Sequence, residues 1–114
     1  MPESLPQSFL PLTESTYAIL LSLATGIKHG YAIMKDVEQL SNGRYRLSTS
    51  TLYTALSRLQ DQGLIQRIQN KDADTNPGLP RKAYTLSALG RRVLEAETQR
   101  MQTLVLEAQL RLIE

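Results

Sequence analysis

The chain has 114 residues, a length that suits one domain with at most one protruding element. It contains no cysteine and one histidine, which excludes disulfides and Cys-type zinc sites and argues against a His-based metal site or a hydrolase. Its net charge is only +2, so overall charge does not by itself indicate a nucleic-acid partner.

Residues 1–12 contain three prolines and predict an extended N-terminal arm without a core of its own. Phe9 and Leu10 give this arm apolar side chains that can pack on a neighbour or stay loosely ordered. No charged-then-apolar leader opens the chain, and no run approaches the roughly 18 apolar residues of a membrane span. The absence of cysteine fits a cytoplasmic protein, which is our expectation.

Two helices are predicted next. Thr13 is a plausible cap for a first helix over residues 14–25, whose apolar side chains, including Tyr17 and Leu21, leave little polar face. Such a helix is covered on more than one side, which hints at a partner chain. A second helix runs from about Tyr31 to Leu40, and the turn at 41–43 follows it. His29, at the start of this helix, is most simply a capping or packing residue.

The central helix is the best-marked element of the sequence. Ser48 or Ser50 can cap its start, and Gly63 suits the left-handed position after its end, with Leu64 placed to contact Leu59. Leu52, Leu56 and Leu59 form one buried stripe. The opposite face carries Ser50, Thr54, Ser57 and Asp61, flanked by Tyr53 and Arg58, where exposed helices usually carry Glu, Lys and Gln. A face this slim suits close approach to a large surface such as a DNA groove, although a solvated face without a special role has the same composition.

Two short β-compatible runs follow, at residues 64–69 and 81–86, separated by a polar, turn-rich segment. They predict a hairpin with a long tip, which must pack on the helices because an isolated two-stranded hairpin is only marginally stable. Basic residues at the two roots of the tip, Lys71, Arg81 and Lys82, suggest that it meets an anionic partner.

A last helix is predicted from the Ser87 cap to the end of the chain. Leu94, Met101 and Ala108 repeat every seven residues, and the second position of the seam is filled by Leu104, Val105 and Leu112. Such a helix would be about 40 Å long and would project from a compact domain. We expect its stripe to pair with a second chain, the alternative being a helix folded back on its own domain.

Charge is concentrated around the central helix. Residues 44–82 contain seven basic and three acidic side chains, a local balance of +4. The basic ones are Arg44, Arg46, Arg58, Arg67, Lys71, Arg81 and Lys82, and the acidic ones are Asp61, Asp72 and Asp74. This predicts a modest basic patch on the middle of the chain.

The order helix, helix, helix, hairpin is that of a winged helix-turn-helix, a mainly α fold with a small β-hairpin. The sequence resembles the PadR-type transcriptional regulators of the short kind, which have a single C-terminal dimerisation helix. The resemblance rests on His29-Gly30-Tyr31, on Ser50 to Tyr53 with Gly63-Leu64-Ile65, and on Pro80 to Ser87 with Gly90. It spans residues 12–112. The family usually has Gly in place of Ser50 and often Pro in place of Thr54, so the operator cannot be carried over.

The resemblance implies a homodimeric DNA-binding regulator, most often a repressor, in a family that includes the clock-associated repressor Pex. It divides the chain into an arm (1–12), a winged helix-turn-helix domain (13–86, wing 64–86) and a dimerisation helix (87–114). The dimer interface would use Tyr17, Leu21, Leu94, Met101, Leu104, Val105, Ala108 and Leu112. A small-molecule effector at this interface is also implied. Drug-binding members stack ligands on tryptophan, which this chain lacks.

Our hypothesis for DNA binding places the recognition helix, residues 50–62, in the major groove with its amino end first. Ser50, Thr54 and Ser57 would approach base edges, and Thr51 and Tyr53 would bond phosphates. The free amides at Ser48 and Thr49 would favour a phosphate. Arg58, Lys71, Arg81 and Lys82 would supply salt-dependent affinity. Because hydroxyls discriminate bases weakly, we expect specificity to depend on half-site spacing, DNA shape and the wing.

Two other classes of function remain to be compared. Winged helices also serve as protein-interaction modules, and Asp61, Asp72 and Asp74 near the predicted DNA face favour that alternative slightly. Ser50, Tyr53 and His29 could in principle form a nucleophile and base. The sequence has no carboxylate pattern, phosphate loop or metal set to support catalysis, and we predict that the protein is not an enzyme and needs no cofactor.

Overall fold

A computed structural model describes residues 5–69 and 82–113 of the chain. Its α-helices and β-strands, in chain order, are α1 (Glu14–Ser22), β1 (Lys28–His29), α2 (Gly30–Leu40), α3 (Thr49–Asp61), β2 (Ile65–Gln69), β3 (Lys82–Leu86) and α4 (Ala88–Arg111). Two short 3-10 turns, Pro6–Phe9 and Leu23–Thr25, precede and follow α1. This is the predicted winged helix-turn-helix with a long C-terminal helix.

The turn between α2 and α3 is built by left-handed backbone at the predicted position. Asn42 has φ 53° and Gly43 has φ 81°, conformations that Gly adopts without steric cost and Asn tolerates. The Gly43 amide donates to the Glu38 carbonyl (2.8 Å), which closes α2. The chain can then turn and begin α3 in a new direction, as a helix-turn-helix requires.

The sheet has three strands in the order β1-β3-β2, and both pairs are antiparallel. The predicted hairpin is its larger part, with Ile65 opposite Leu86 and Gln69 opposite Lys82. The sheet also has a third strand that the sequence did not predict, because Lys28 and His29 pair with Tyr84 and Ala83 on the other edge of β3. A two-residue strand has no periodicity to detect in a sequence, since only the edge of β3 defines it.

All four helices and the sheet contribute to one core. Its fully buried side chains include Ile19, Leu20, Ile33, Val37, Leu52, Leu56, Leu59, Leu64, Ile65 and Val93. Phe9, Leu10 and Leu12 of the arm are partly buried against this core. The arm and α4 of the same chain therefore supply much of the cover that the apolar first helix needs, so that helix alone does not require a partner.

Helix α4 begins on the domain and ends beyond it. Gly90, Val93, Leu94 and Glu97 are buried, whereas every described residue from Gln102 onward is exposed. Its first turns therefore lie on its own domain and its remainder projects, and pairing of the projecting part with a second chain stays a prediction. No helix in the described part of the chain is long and apolar enough to cross a membrane.

Candidate nucleic-acid interface

Ser48 caps the central helix α3. Its hydroxyl accepts a hydrogen bond from the Thr51 amide (3.1 Å) and donates to the Thr51 hydroxyl (2.9 Å). Of the two serines considered as caps, Ser48 is therefore the one that satisfies an orphan amide of the first turn. Ser50 and Thr54 are left exposed, with the amino end of the helix, on the outer face.

The two faces of α3 differ sharply. Leu52, Leu56 and Leu59 are at most 1% exposed and anchor the helix in the core. The exposed side chains on the other side are mostly small hydroxyls, with one guanidinium, one amide and one carboxylate near the carboxyl end: Thr49, Ser50, Thr51, Thr54, Ser57, Arg58, Gln60 and Asp61. A shallow groove of about 300 Å³ runs between this face and α1, and Ser15, Ser50, Thr54 and Arg58 are among its lining residues. The short side chains leave the backbone of α3 accessible to a large partner.

Arg58 is oriented by the first helix, a connection that the sequence did not reveal. Its Nη2 donates to the Thr16 hydroxyl (3.3 Å), and that hydroxyl accepts a second bond from the Thr13 hydroxyl (2.8 Å). Thr13 also caps α1 by accepting from the Thr16 amide (3.2 Å). The cation of α3 and the amino end of α1 therefore lie side by side, which concentrates positive potential at one end of the groove.

Tyr53 lies at the root of the wing rather than on the open hydroxyl face. Its half-buried ring has the Lys82 ammonium 5.6 Å from its centroid and the Tyr84 ring 6.5 Å away. A Cβ added at Gly30 would lie 2.4 Å from the Tyr53 hydroxyl oxygen, so glycine permits this close packing on α2. Burial, with a smaller effect of Tyr53, raises the pKa of Tyr84 above its ordinary value of 10.0. Tyr53 thus connects α2, α3 and the wing.

His29 has the packing role expected of it. Its Nδ1 lies 3.4 Å from the Lys82 carbonyl oxygen, across the pair of strands β1 and β3. This contact helps to fix Lys82, whose side chain is exposed next to Tyr53.

The basic patch is weaker in the structure than in the linear count. Arg44 lies 3.5 Å from a Glu14 carboxylate oxygen, and Arg46 lies 4.0 Å from one of Glu38. These two acids come from α1 and α2, outside the segment in which charges were counted. Arg58, Arg67 and Lys82 remain as exposed cations on α3 and the wing. Lys71 and Arg81, the other predicted phosphate contacts, lie outside the described residues.

Comparison with known proteins decides the family. A sequence model described as the transcriptional regulator PadR-like family matches residues 19–96, more than half of the chain. The chain belongs to the PadR-like family. Its members are transcriptional regulators and not enzymes, which agrees with the prediction from the sequence. No group of His, Cys, Asp and Glu in the described residues could hold a metal ion.

One sequence relative and three solved structures are similar to this PadR-like chain. An uncharacterized 37.1 kDa protein in transposon TN4556 of Streptomyces fradiae is 35% identical over 86 residues, 75% of this chain. The chain spans only 22% of that relative's length. A PadR family transcription regulator from Clostridium difficile has a TM-score of 0.67 and 26% identity, with 86% of this chain and 99% of that one covered.

The other two similar structures are of individually named proteins. Bacillus subtilis PadR in complex with operator DNA has a TM-score of 0.60 and 28% identity, with 71% of this chain and 44% of that one covered. The circadian clock associated protein Pex from Anabaena has a TM-score of 0.56 and 23% identity, with 86% and 84% covered, and supports the fold alone.

The predicted dimer residues of the PadR-like chain fall into three environments. Leu94 is 5% exposed in the protomer's own core. Tyr17, Leu21 and Met101 line a cavity of about 460 Å³ between α1, α4 and the end of α2. The remaining residues lie on the projecting part of α4 and are exposed: Leu104, Val105, Ala108 and Leu112.

The projecting part of α4 exposes apolar side chains in addition to those of the predicted seam. Leu106 and Leu110, which are 54% and 67% exposed, lie about one turn apart on the other side of the helix, and exposed Ile113 follows just after its end. These residues lie outside the two seam positions of the predicted heptad, although their spacing of four and three residues is visible in the sequence.

Proposed function

We propose that this chain is a homodimeric DNA-binding transcriptional repressor that binds a two-fold operator through helix 50–62 and wing 64–86. The observation on which the proposal chiefly depends is the face of α3, where short hydroxyl side chains and Arg58 are exposed beside the amino end of α1. The complex of Bacillus subtilis PadR with operator DNA supports it, since that protein is 28% identical to this chain. Action on DNA would place the protein in the cytoplasm.

Each part of the chain has a role in the proposal. Residues 13–86 bind DNA, residues 87–114 pair two chains, and Phe9, Leu10 and Leu12 of the arm (1–12) pack on its own domain. Ser50, Thr54 and Ser57 approach base edges, while Thr51 bonds a phosphate and the free amides near Ser48 and Thr49 favour another. Tyr53 reaches a phosphate from the wing root together with Lys82. Lys71 and Arg81 are proposed phosphate contacts of the wing tip.

Removal of one phosphate contact tests the proposal. For Arg58→Ala we expect operator affinity to fall about tenfold at low salt, and the slope of log K against log salt concentration to decrease by roughly 0.9. Fluorescence anisotropy with a labelled duplex at several salt concentrations measures both. Arg92→Ala is the matched control, since Arg92 is an exposed cation of α4 outside α3 and the wing. If Arg58→Ala, Arg92→Ala and the unaltered chain bind the operator equally, the assignment of α3 as the DNA-binding helix is rejected.

A protein-interaction module is the second candidate. The ion pairs that neutralise Arg44 and Arg46, together with exposed Asp61, favour it because they reduce the positive potential of this side of the molecule. The same titration separates the two functions. A DNA-binding protein has a steep salt slope even on random duplex, whereas an interaction module has no salt-dependent binding to DNA.

The cavity that Tyr17, Leu21 and Met101 line is where we propose that a small-molecule effector binds. Leu12, Ala18 and Leu40 supply apolar wall, and the polar groups of the lining are Glu14, Ser41 and the Tyr17 hydroxyl, which lies 2.7 Å from the Thr98 hydroxyl. We expect an apolar ligand with one hydrogen-bonding group to raise the melting temperature. Ala18→Leu, which fills the cavity, should abolish that increase. A ligand that raises the melting temperature of the unaltered protein and of Ala18→Leu equally would bind outside this cavity.

A further inference from the structure

The start of α4 is fixed directly to the end of α3. The Ser87 hydroxyl donates to the Gly63 carbonyl (2.6 Å), and the Ser87 amide donates to the Leu64 carbonyl (3.1 Å). The same hydroxyl accepts from the Gly90 amide (2.9 Å), so one side chain caps α4 and holds it against α3. Ser87 thus joins α4 to the residues that end α3, while buried Val93, Leu94 and Glu97 hold the next turns of α4 on the same domain.

Gly90 makes this junction tight. A Cβ added at Gly90 would lie 1.9 Å from the Leu64 carbonyl oxygen, a backbone atom that cannot rotate away. On the α3 side, Gly63 has φ 78°, and the Leu64 amide donates to the Leu59 carbonyl (3.0 Å). This is a closed helix terminus of the Schellman type, which has little freedom to adjust. Both partners of the contact are therefore rigid backbone.

The length of α4 amplifies any change at this junction. Val105 lies 15 residues beyond Gly90, about 22 Å along the helix axis. A tilt of about 10° at the junction would displace Val105 by roughly 4 Å, which is close to the 3.4 Å rise of one base pair. In a dimer held together by the projecting part of α4, the same tilt would move the two α3 helices relative to each other by a comparable distance.

We propose that Ser87 and Gly90 are positioning residues that determine which half-site spacing the dimer selects. They contact no DNA. They fix the angle between α3 and α4, and with it the separation and tilt of the two recognition helices. The inference rests on the proposed function as a dimeric DNA-binding regulator. Hydroxyl side chains discriminate bases poorly. In this inference, the geometry of the junction supplies part of the DNA sequence specificity instead.

Operator binding provides the first test. Selection of bound sequences from a random duplex pool gives the preferred operator, and its spacer is then lengthened or shortened by one or two base pairs. We expect the unaltered protein to discriminate against altered spacers by at least about tenfold, and Ser87→Ala to discriminate by less than about threefold. Ser87→Thr, which keeps the hydroxyl, should behave as the unaltered protein does.

Ser87→Ala also removes a helix cap, so its melting temperature is measured alongside. Loss of affinity in equal proportion at every spacing, together with a lower melting temperature, would mean that Ser87 only stabilises the fold and would overturn the inference. Unchanged discrimination would overturn it too.

A measurement without DNA separates the inference from the proposed function. The chain contains no cysteine, so Ser57→Cys introduces one labelling site on the exposed face of each α3. Distances between the two spin labels of a dimer, measured by pulsed electron resonance, should form a narrow distribution that Ser87→Ala broadens and Ser87→Thr does not. If no duplex binds in a salt-dependent way, the proposed function fails, and an equally narrow distribution in Ser87→Ala would overturn the positioning role.

Discussion

Glu97→Gln is expected to lower the free energy of unfolding by about 2 kcal/mol at neutral pH. The side chain of Glu97 is 1% exposed, and its Oε2 accepts bonds from the Leu12 amide (2.8 Å) and from Arg100 Nη2 (3.0 Å). Arg100 Nε donates to the other oxygen, Oε1. A glutamine has one carbonyl oxygen, so if that oxygen keeps the bonds made to Oε2, its NH₂ group faces the Arg100 Nε–H donor. Urea denaturation followed by circular dichroism measures the loss.

Glu107→Gln is the matched control on the same helix. Glu107 also pairs with an arginine, Arg111, at 2.8 Å, but both side chains are exposed, at 53% and 79%. Exposed pairs of this kind contribute about 0.5 kcal/mol or less. Equal effects of the two substitutions would show that burial of Glu97 and its bond to the arm do not matter for stability.

The Glu97 contribution should also depend on pH. The hydrogen bond from Arg100, opposed by burial and aided by the Leu12 amide, holds the pKa of Glu97 below its ordinary value of 4.5. Because the folded state favours the ionised carboxylate, its contribution is fully present above about pH 4.5 and is lost as pH falls through the lowered pKa. The difference in unfolding free energy between the unaltered protein and Glu97→Gln should therefore shrink below pH 4.5. A difference that stays constant to pH 3 would contradict this account.

Val105→Glu is expected to weaken the proposed homodimer at least about 100-fold, because a charge at an apolar interface costs roughly 3 kcal/mol when it finds no partner. Val105 is 53% exposed, so the substitution has little to disturb within the protomer. It lies on the continuation of the stripe that buries Gly90 and Leu94 in the domain. Sedimentation equilibrium measures the dimer dissociation constant.

Thr103→Glu is the control for Val105→Glu. Thr103 is exposed on the same part of α4, away from the predicted seam, and the substitution adds the same charge. We expect it to leave the dissociation constant nearly unchanged. A dimer that survives Val105→Glu but not Leu110→Glu would move the interface to the side of α4 that carries Leu106 and Leu110, and one that survives both would reject pairing through α4.

The sequence alone determined the elements whose signals are local. Thr13 and Ser87 cap the helices predicted to follow them, and Gly63 adopts the left-handed conformation that ends α3. For α3 the sequence narrowed the cap to Ser48 or Ser50, and the structure shows Ser48. A cap or a helix terminus involves residues within about five positions of each other, so its chemistry is visible in a short stretch of sequence. The stripe of Leu52, Leu56 and Leu59 was equally visible, since helical period alone places these side chains on one face.

Only the tertiary structure decided the contacts between distant parts of the chain. Glu97 bonds to an amide 85 positions away, Arg58 to a hydroxyl 42 positions away, and Ser87 to a carbonyl 24 positions away. Each of these side chains resembles an ordinary helix-surface or capping residue in the sequence. The same reason applies to strand β1, which forms only because the edge of β3 is beside it. It also applies to α4, where the neighbouring domain, and not local periodicity, determines which half is buried and which half projects.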